Sequence, residues 1–152
     1  MASSRILTRT LLVITLFAVL FSCGKPAQVK FELPRILVYG EVDSVINRAR
    51  DSLVAFDLYA DWCAPCRQLE PVIERVAAAY KGKVAFYRVN TDQVPEVMQK
   101  FGGTAIPHVV FVKNKTVLAS IVGIEPEEAY TSVIRQYYAS TPAVSADTAK
   151  KK

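Results

Sequence analysis

Apolar residues along the chain follow two different periods, which predict an alternation of strands and helices. A nearly continuous apolar run occupies Leu53–Tyr59 (LVAFDLY) and is typical of a strand that is covered on both faces. After Cys66, apolar residues recur every three or four positions, which predicts one buried helix face, formed by Leu69, Val72, Ile73, Val76, Ala77 and Tyr80. The chain is therefore expected to turn from a buried strand into a helix near residue 63.

The rest of the chain continues this alternation on either side of the central strand. We predict a helix capped by Asp43, a helix opened by Asp92 and Pro95, and a final helix that begins at Glu125. The apolar faces of the first and last of these helices are predicted to be Val42, Val45, Ile46 and Ala49, and Ala129, Val133, Ile134 and Tyr137. The other predicted strands are 35–39, 84–90, 108–113 and 116–122, the last two forming a hairpin. This order gives an α/β fold with a central mixed β-sheet flanked by helices.

Two cysteines lie at the predicted junction of the central strand and its helix. A helix N-terminus carries a partial positive charge and unpaired amide donors, which stabilise a thiolate and lower its pKa. Cys63, at that end, is therefore the expected nucleophile. Cys66 lies one turn further in, where we expect it to be more buried and to act second. Two intervening residues allow the sulfurs to approach to disulfide distance.

The segment Trp62-Cys63-Ala64-Pro65-Cys66, placed after an apolar strand, resembles the active site of the thioredoxin family. Further positions fit the same pattern: Asp57 six residues before Cys63, Pro71 five residues after Cys66, the pair Ile106-Pro107, and Gly123. The resemblance covers about residues 35–138. It implies the thioredoxin fold and a redox-active pair of cysteines.

The resemblance also implies a role for each residue of the catalytic group. Cys63 would attack a substrate disulfide, and Cys66 would resolve the resulting mixed disulfide. Asp57, expected in the sheet beneath Cys66, would accept the proton of Cys66, and burial should raise its pKa. Arg88 matches a position near this acid where the family often has lysine.

Other positions are implied to bind substrate or to tune the redox pair. Trp62 would offer substrate a flat apolar surface, and a cis peptide bond at Pro107 would let Ile106 pair with an extended peptide. Gly123 would lie near the same groove. Ala64, where family members usually have glycine, and Pro65 would tune the reduction potential. The single histidine, His108, stands where the family commonly has threonine, so we expect a structural role for it rather than proton transfer.

The two ends of the chain are predicted to lie outside the domain. Basic residues, a short apolar run from 11 to 21 and Ser22-Cys23 resemble a bacterial lipoprotein signal, which predicts signal peptide 1–22 and lipidation of Cys23. An ordinary secretory peptide or an uncleaved anchor is the alternative. We expect 23–34 to be the lipidated cysteine and a tether, 35–138 the thioredoxin-like domain, and 139–152 a disordered tail ending in lysines.

Composition excludes several other classes of function. The net charge is +5, but two of these charges lie in the predicted signal and three in the last three residues, so the domain is near neutral. The sequence contains no basic stripe with interleaved aromatic residues, the pattern that would indicate nucleic-acid binding. Structural zinc requires four ligands, whereas only His108 and Cys23 remain as soft ligands beside the cysteine pair. We therefore predict no metal and no cofactor.

The resemblance implies that the protein is a thiol-disulfide oxidoreductase. More specifically, we expect a protein-disulfide reductase that acts on exported proteins. Lipid anchoring would place it in the bacterial cell envelope, facing the periplasm, and a membrane thiol carrier would supply its electrons. The same residues could instead serve a disulfide oxidase or isomerase, or deliver thiols for cytochrome c maturation. A binding or chaperone module with the same fold is a further alternative.

Overall fold

The computed structural model describes residues 31–139, which form a central sheet flanked by helices. The elements are β1 (Arg35–Ile36), α1 (Tyr39–Ala49), β2 (Leu53–Tyr59), α2 (Ala64–Ala79), β3 (Val84–Asn90), α3 (Glu96–Lys100), β4 (His108–Lys113), β5 (Thr116–Val122) and α4 (Glu127–Ala139). The predicted alternation of strands and helices is confirmed. The predicted signal peptide, Cys23 and residues 140–152 of the predicted tail lie outside the described residues, whereas Ala139, the predicted start of the tail, is the last residue of α4.

The five strands form one mixed sheet with the order β1-β3-β2-β4-β5. β1, β3 and β2 are parallel, whereas β4 is antiparallel to both β2 and β5. The central strand β2 pairs along its length with β3, and all seven of its residues are buried. This confirms the predicted α/β fold with a mixed sheet, and it places the end of β2 at the start of α2.

Helices cover both faces of the sheet, and each face has its own core. On the face covered by α1 and α3, here called the α1/α3 face, the buried residues include Val42, Ile46, Val54, Phe56, Leu58, Val97 and Val110. On the opposite face, here called the α2/α4 face, they include Ala55, Leu69, Ile73, Val76, Phe86, Tyr130 and Ile134. Burial of the apolar side chains of both faces is the main force that holds the helices on the sheet.

The first strand and helix differ from the prediction. The strand expected over 35–39 ends at Ile36, because the exposed Leu37 and Val38 have left the sheet and Tyr39 already begins α1. Asp43 therefore lies inside α1 and is not its cap. Glu41 takes part in the start of the helix instead, since its carboxylate accepts a hydrogen bond from the Leu37 N–H at 3.0 Å.

Two core residues were assigned wrongly or missed. Leu33, which we placed in the tether, is only 6% exposed and packs in the core of the α2/α4 face. The predicted tether 23–34 is thus too long at its C-terminal end. In α4 the fully buried residues are Tyr130 and Ile134, whereas Ala129, Val133 and Tyr137 are only partly buried. Because Tyr130 carries a polar hydroxyl, the sequence pattern did not identify it as a buried residue.

Within residues 31–139, no helix is long and apolar enough to cross a bilayer.

Candidate active site

Cys63 and Cys66 form a disulfide at the N-terminus of α2. Cys63 is the residue just before the helix, and the Cys66 N–H donates to its sulfur at 3.2 Å. The two Cα atoms are 5.3 Å apart, and Pro65 lies in the first turn, where its missing N–H removes no helical hydrogen bond. Both cysteines are 3% exposed, so the predicted difference in burial is wrong for this disulfide form. Pro71 lies inside the same helix.

Backbone and side-chain hydrogen bonds hold the loop between β2 and α2. The Cys63 N–H donates to the Ala60 carbonyl at 3.1 Å, which closes a turn directly before the helix. Asp61 is held from two sides: Arg67 Nη1 donates to its carbonyl at 2.8 Å, and Asn90 Nδ2 donates to its carboxylate at 3.2 Å. These contacts keep Cys63 in one position relative to the sheet.

A cavity of about 550 Å³ opens beside the disulfide. Its lining residues are Trp62, Cys63, Ala64, Pro65, Thr91, Met98, Thr104, Ala105 and Ile106, so Cys63 reaches this cavity and Cys66 does not. The Ile106–Pro107 peptide bond is cis, as predicted. The structure thus brings most of the predicted substrate-binding and tuning residues to one cavity, although they come from separate segments of the chain.

Trp62 lies at the rim of the cavity with 69% of its surface exposed, as predicted. Its indole Nε1–H donates to the Asp92 carboxylate at 2.9 Å, which fixes the ring while leaving it accessible. Asp92 was expected only to open a helix, and its contact with Trp62 was missed.

Gly123 does not line the cavity but lies directly behind it. Its N–H donates to the Pro107 carbonyl at 2.8 Å, and its φ of +91° is a conformation that side-chain-bearing residues rarely adopt. Gly123 therefore supports the position of Pro107.

Asp57 is buried at 3% exposure on the α2/α4 face of β2. Burial raises the pKa of its carboxyl to about 6, and the charge of Arg88 opposes this rise only in part. Arg88 Nε lies 2.9 Å from the carboxylate, since the two residues are register partners on β2 and β3. Asp57 can therefore gain or lose a proton near neutrality, as predicted.

Arg88 also holds a second carboxylate that the sequence analysis missed. Its Nη1 lies 2.6 Å from Glu70 of α2, and its guanidinium lies 3.9 Å from the centre of the Tyr59 ring. Glu70 follows Cys66 by four residues, so both side chains lie on the same side of α2. That spacing was visible in the sequence, but the partner of Glu70 comes from another strand.

His108 is buried at 2% exposure on β4, next to the cis proline. Neither ring nitrogen has a hydrogen-bond partner among the described residues, and burial lowers its pKa. A Cβ added to Gly103 would lie 2.9 Å from its Nδ1, so the ring is closely packed. These contacts agree with the structural role that we expected.

No group of three or more His, Cys, Asp or Glu side chains within residues 31–139 is arranged to hold a metal ion.

Comparison with known families gives a direct match, to the model described as "Thioredoxin", over residues 36–136. The chain belongs to the thioredoxin family. The match covers all strands except the first residue of β1, and it includes both cysteines and the cis proline.

Individual members of the thioredoxin family share both sequence and fold with this chain. The chloroplastic M-type thioredoxin of Spinacia oleracea is 39% identical over 84 residues, which are 55% of this chain and 46% of the spinach protein. The chain thus spans about half the length of the plant thioredoxins it matches. The crystal structure of Malassezia sympodialis thioredoxin superposes with a TM-score of 0.65 at 28% identity, over 76% of this chain and 98% of that one. Fasciola hepatica thioredoxin gives 0.64 at 28%, over 69% and 99%.

Proposed function

We propose that this thioredoxin-family chain is a thiol-disulfide oxidoreductase that reduces disulfide bonds in exported proteins. The observation that carries the proposal is the position of Cys63, which caps α2, is bonded to Cys66 and lines the cavity beside the cis Ile106–Pro107 bond. A thiolate at a helix N-terminus is stabilised by the helix dipole, and a lining position gives it access to a substrate disulfide.

The reaction begins with the reduced pair. The Cys63 thiolate attacks one sulfur of the substrate disulfide, so a mixed disulfide forms and the other substrate sulfur leaves as a thiolate. Cys66 then loses its proton and attacks the sulfur of Cys63, which closes the Cys63–Cys66 disulfide and releases the second substrate thiolate. Two electrons have passed from the pair to the substrate, and the released thiolates take protons from Asp57 or from solvent.

Asp57 is the proposed acceptor for the proton of Cys66. Burial raises the pKa of its carboxyl to about 6, which makes it a usable base near neutrality. Cys66 is only 3% exposed, so we expect its proton to pass to a group inside the protein.

Trp62 and Ile106 are proposed to contact the substrate chain, and Pro107 and Gly123 are proposed to hold Ile106 in place. Trp62 offers an exposed apolar ring, and Ile106 lines the cavity, where we expect an extended peptide to pair with its backbone. Gly123 holds Pro107 from behind. Ala64 and Pro65, between the cysteines, are proposed to set the reduction potential.

We further propose that the protein works in the bacterial cell envelope, anchored by a lipid on Cys23 and facing the periplasm. The support is the sequence Leu20-Phe21-Ser22-Cys23 after a short apolar run. In this proposal 1–22 is a signal peptide, the segment after Cys23 is a tether that ends before Leu33, and 140–152 is a tail. A membrane thiol carrier would return electrons to the pair.

Serine variants of the three cysteines test the activity and the anchor separately. In an insulin reduction assay, Cys63→Ser should abolish activity, and Cys66→Ser should accumulate a mixed disulfide on Cys63. The control Cys23→Ser should reduce insulin at the normal rate but leave the membrane fraction. Activity that survives Cys63→Ser would contradict the mechanism, and an unmodified Cys23 in the intact mass of the membrane fraction would contradict the anchor.

The direction of electron flow is tested by the reduction potential of the Cys63–Cys66 pair. Equilibration against glutathione or dithiothreitol buffers should give a value towards the reducing end of the thioredoxin range, about −270 mV. A value near −120 mV would instead indicate an oxidase.

A further inference from the structure

The buried side of the active site contains three ionisable groups, of which two can be negative and only one is positive. Arg88 contributes one positive charge, and Asp57 and Glu70 each contribute one negative charge when ionised. Arg88 reaches the two carboxylates through different nitrogens, Nε to Asp57 at 2.9 Å and Nη1 to Glu70 at 2.6 Å. One guanidinium therefore serves two carboxylates, and its positive charge can neutralise only one of them.

The two carboxylates differ in their access to solvent. The side chain of Asp57 is 4% exposed, whereas that of Glu70 is 28% exposed and borders a cleft of about 30 Å³ that Arg88 also lines. Ionising a carboxyl costs more where solvent is excluded, so burial disfavours the charged form of Asp57.

We propose that Glu70 is a positioning residue for the resolving step: it binds Arg88 from α2, weakens the hold of Arg88 on Asp57, and so leaves Asp57 able to accept the proton of Cys66. This proposal rests on the proposed oxidoreductase function and adds to it a residue that the cysteine motif does not contain. The step itself moves one proton from the Cys66 thiol to Asp57, while the electron pair of the Cys66 sulfur forms the bond to Cys63.

The charged and titratable groups around Asp57 come from β3, α2 and α4, while its register partner on β4 is the apolar Val109. β3 contributes Arg88, α2 contributes Glu70 and α4 contributes the fully buried Tyr130. Burial is the main cause that raises the pKa of Asp57, Arg88 lowers it, and the charge of Glu70 adds to the rise. The pKa of Tyr130 is raised, mainly by burial and also by the charge of Asp57, so the phenol stays neutral.

The test is a titration of the Asp57 carboxyl in the oxidised protein, which needs no substrate. Carbon-13 NMR of aspartate-labelled protein gives the midpoint, and the signal of Asp57 is assigned by its loss in Asp57→Asn. In Glu70→Gln the midpoint should move to lower pH by about 0.5 unit or more, since a negative charge is removed and Arg88 turns fully to Asp57. In a plot of the single-turnover rate of mixed-disulfide resolution against pH, the rising limb should also move to lower pH.

Glu74→Gln is the matched control because Glu74 lies on the same helix and lines the same cleft, while the described ion pairs of Arg88 are with Asp57 and Glu70. It should leave the midpoint unchanged, and Glu70→Asp, which keeps the charge, should restore most of the wild-type value. An unchanged midpoint in Glu70→Gln, or an equal shift in Glu74→Gln, overturns the proposal. Failure of the oxidoreductase function would appear separately, as absent disulfide reduction by the wild-type protein.

Discussion

The two faces of β2 differ in what they bury. Towards α1 and α3 the strand presents Val54, Phe56 and Leu58, and the Phe56 ring packs against Phe101 with centres 5.3 Å apart. Towards α2 and α4 the alternate positions present Asp57, which binds Arg88. The same seven-residue strand thus has one face that only packs and one face that carries a titratable group.

The difference shows how a stable strand can contribute chemistry. An ion pair in which both groups are buried generally stabilises a protein less than apolar residues of the same volume, because both charges lose their hydration. The α2/α4 face accepts this cost near the C-terminal end of β2, and the apolar α1/α3 face holds the strand in place while Asp57 changes its charge. The one buried ionisable residue of the α1/α3 face within residues 31–139 is His108, at the end of β4.

The largest expected effect is on the apolar face. Phe56→Ala should lower the free energy of unfolding by about 3 to 5 kcal/mol, since the ring is fully buried and leaves a cavity. Urea unfolding measures the loss, and the exposed Val117→Ala should change stability by less than about 0.5 kcal/mol. The NMR midpoint of Asp57 should stay the same. A moved midpoint would mean that the two faces are not independent.

Removing the charge on the other face should stabilise the protein at high pH. The folded pKa of Asp57, about 6, lies above its ordinary 3.8, so the folded state binds the extra proton between these values and loses stability as the pH rises through them. Asp57→Asn in the oxidised protein should therefore gain about 2 to 3 kcal/mol at pH 8 and almost nothing at pH 4. Thermal unfolding at both pH values checks this, and an equal gain at pH 4 would contradict it. The resolving step of Asp57→Asn should be slower than that of the wild-type protein.

His108→Leu should show the opposite pH dependence. Burial lowers the pKa of His108 below its ordinary 6.5, so the unfolded chain binds a proton that the folded state does not, and stability falls as the pH drops below 6.5. Replacing the unpartnered ring by an apolar side chain should stabilise by about 1 to 2 kcal/mol at pH 8 and by more at pH 5. Unfolding curves at the two pH values measure the gain. A gain that shrinks towards pH 5 would be inconsistent with a buried neutral ring.

The smallest effect is expected at the rim of the cavity. Asp92→Ala removes the carboxylate that holds the Trp62 indole, so the KM for a peptide disulfide should rise about threefold with little change in kcat. Stability should change by less than about 0.5 kcal/mol because both side chains are exposed. Tryptophan fluorescence should report a more mobile ring. The control Asp43→Ala, which removes a surface ion pair with Lys100 on α1 and α3, should leave KM unchanged.

Much of the site could be predicted because its signals are local in the sequence. The apolar run of β2 and the helical period after it identify a strand-to-helix turn, and the spacing of Cys63 and Cys66 places both sulfurs within one turn. The charged Asp57 inside that run is unusual enough to indicate a buried acid with a raised pKa. Each of these inferences depends on residues only a few positions apart.

The sequence by itself therefore determined the order of the elements, the cysteine pair and the buried acid of β2. Only the tertiary structure decided that Arg88 binds both Asp57 and Glu70, that Asp92 holds Trp62, and that Leu33 belongs to the core. The physical reason is that periodicity fixes which way a side chain points from its own element, whereas its partner depends on strand register and on where each helix packs. These are set by contacts between residues far apart in the chain.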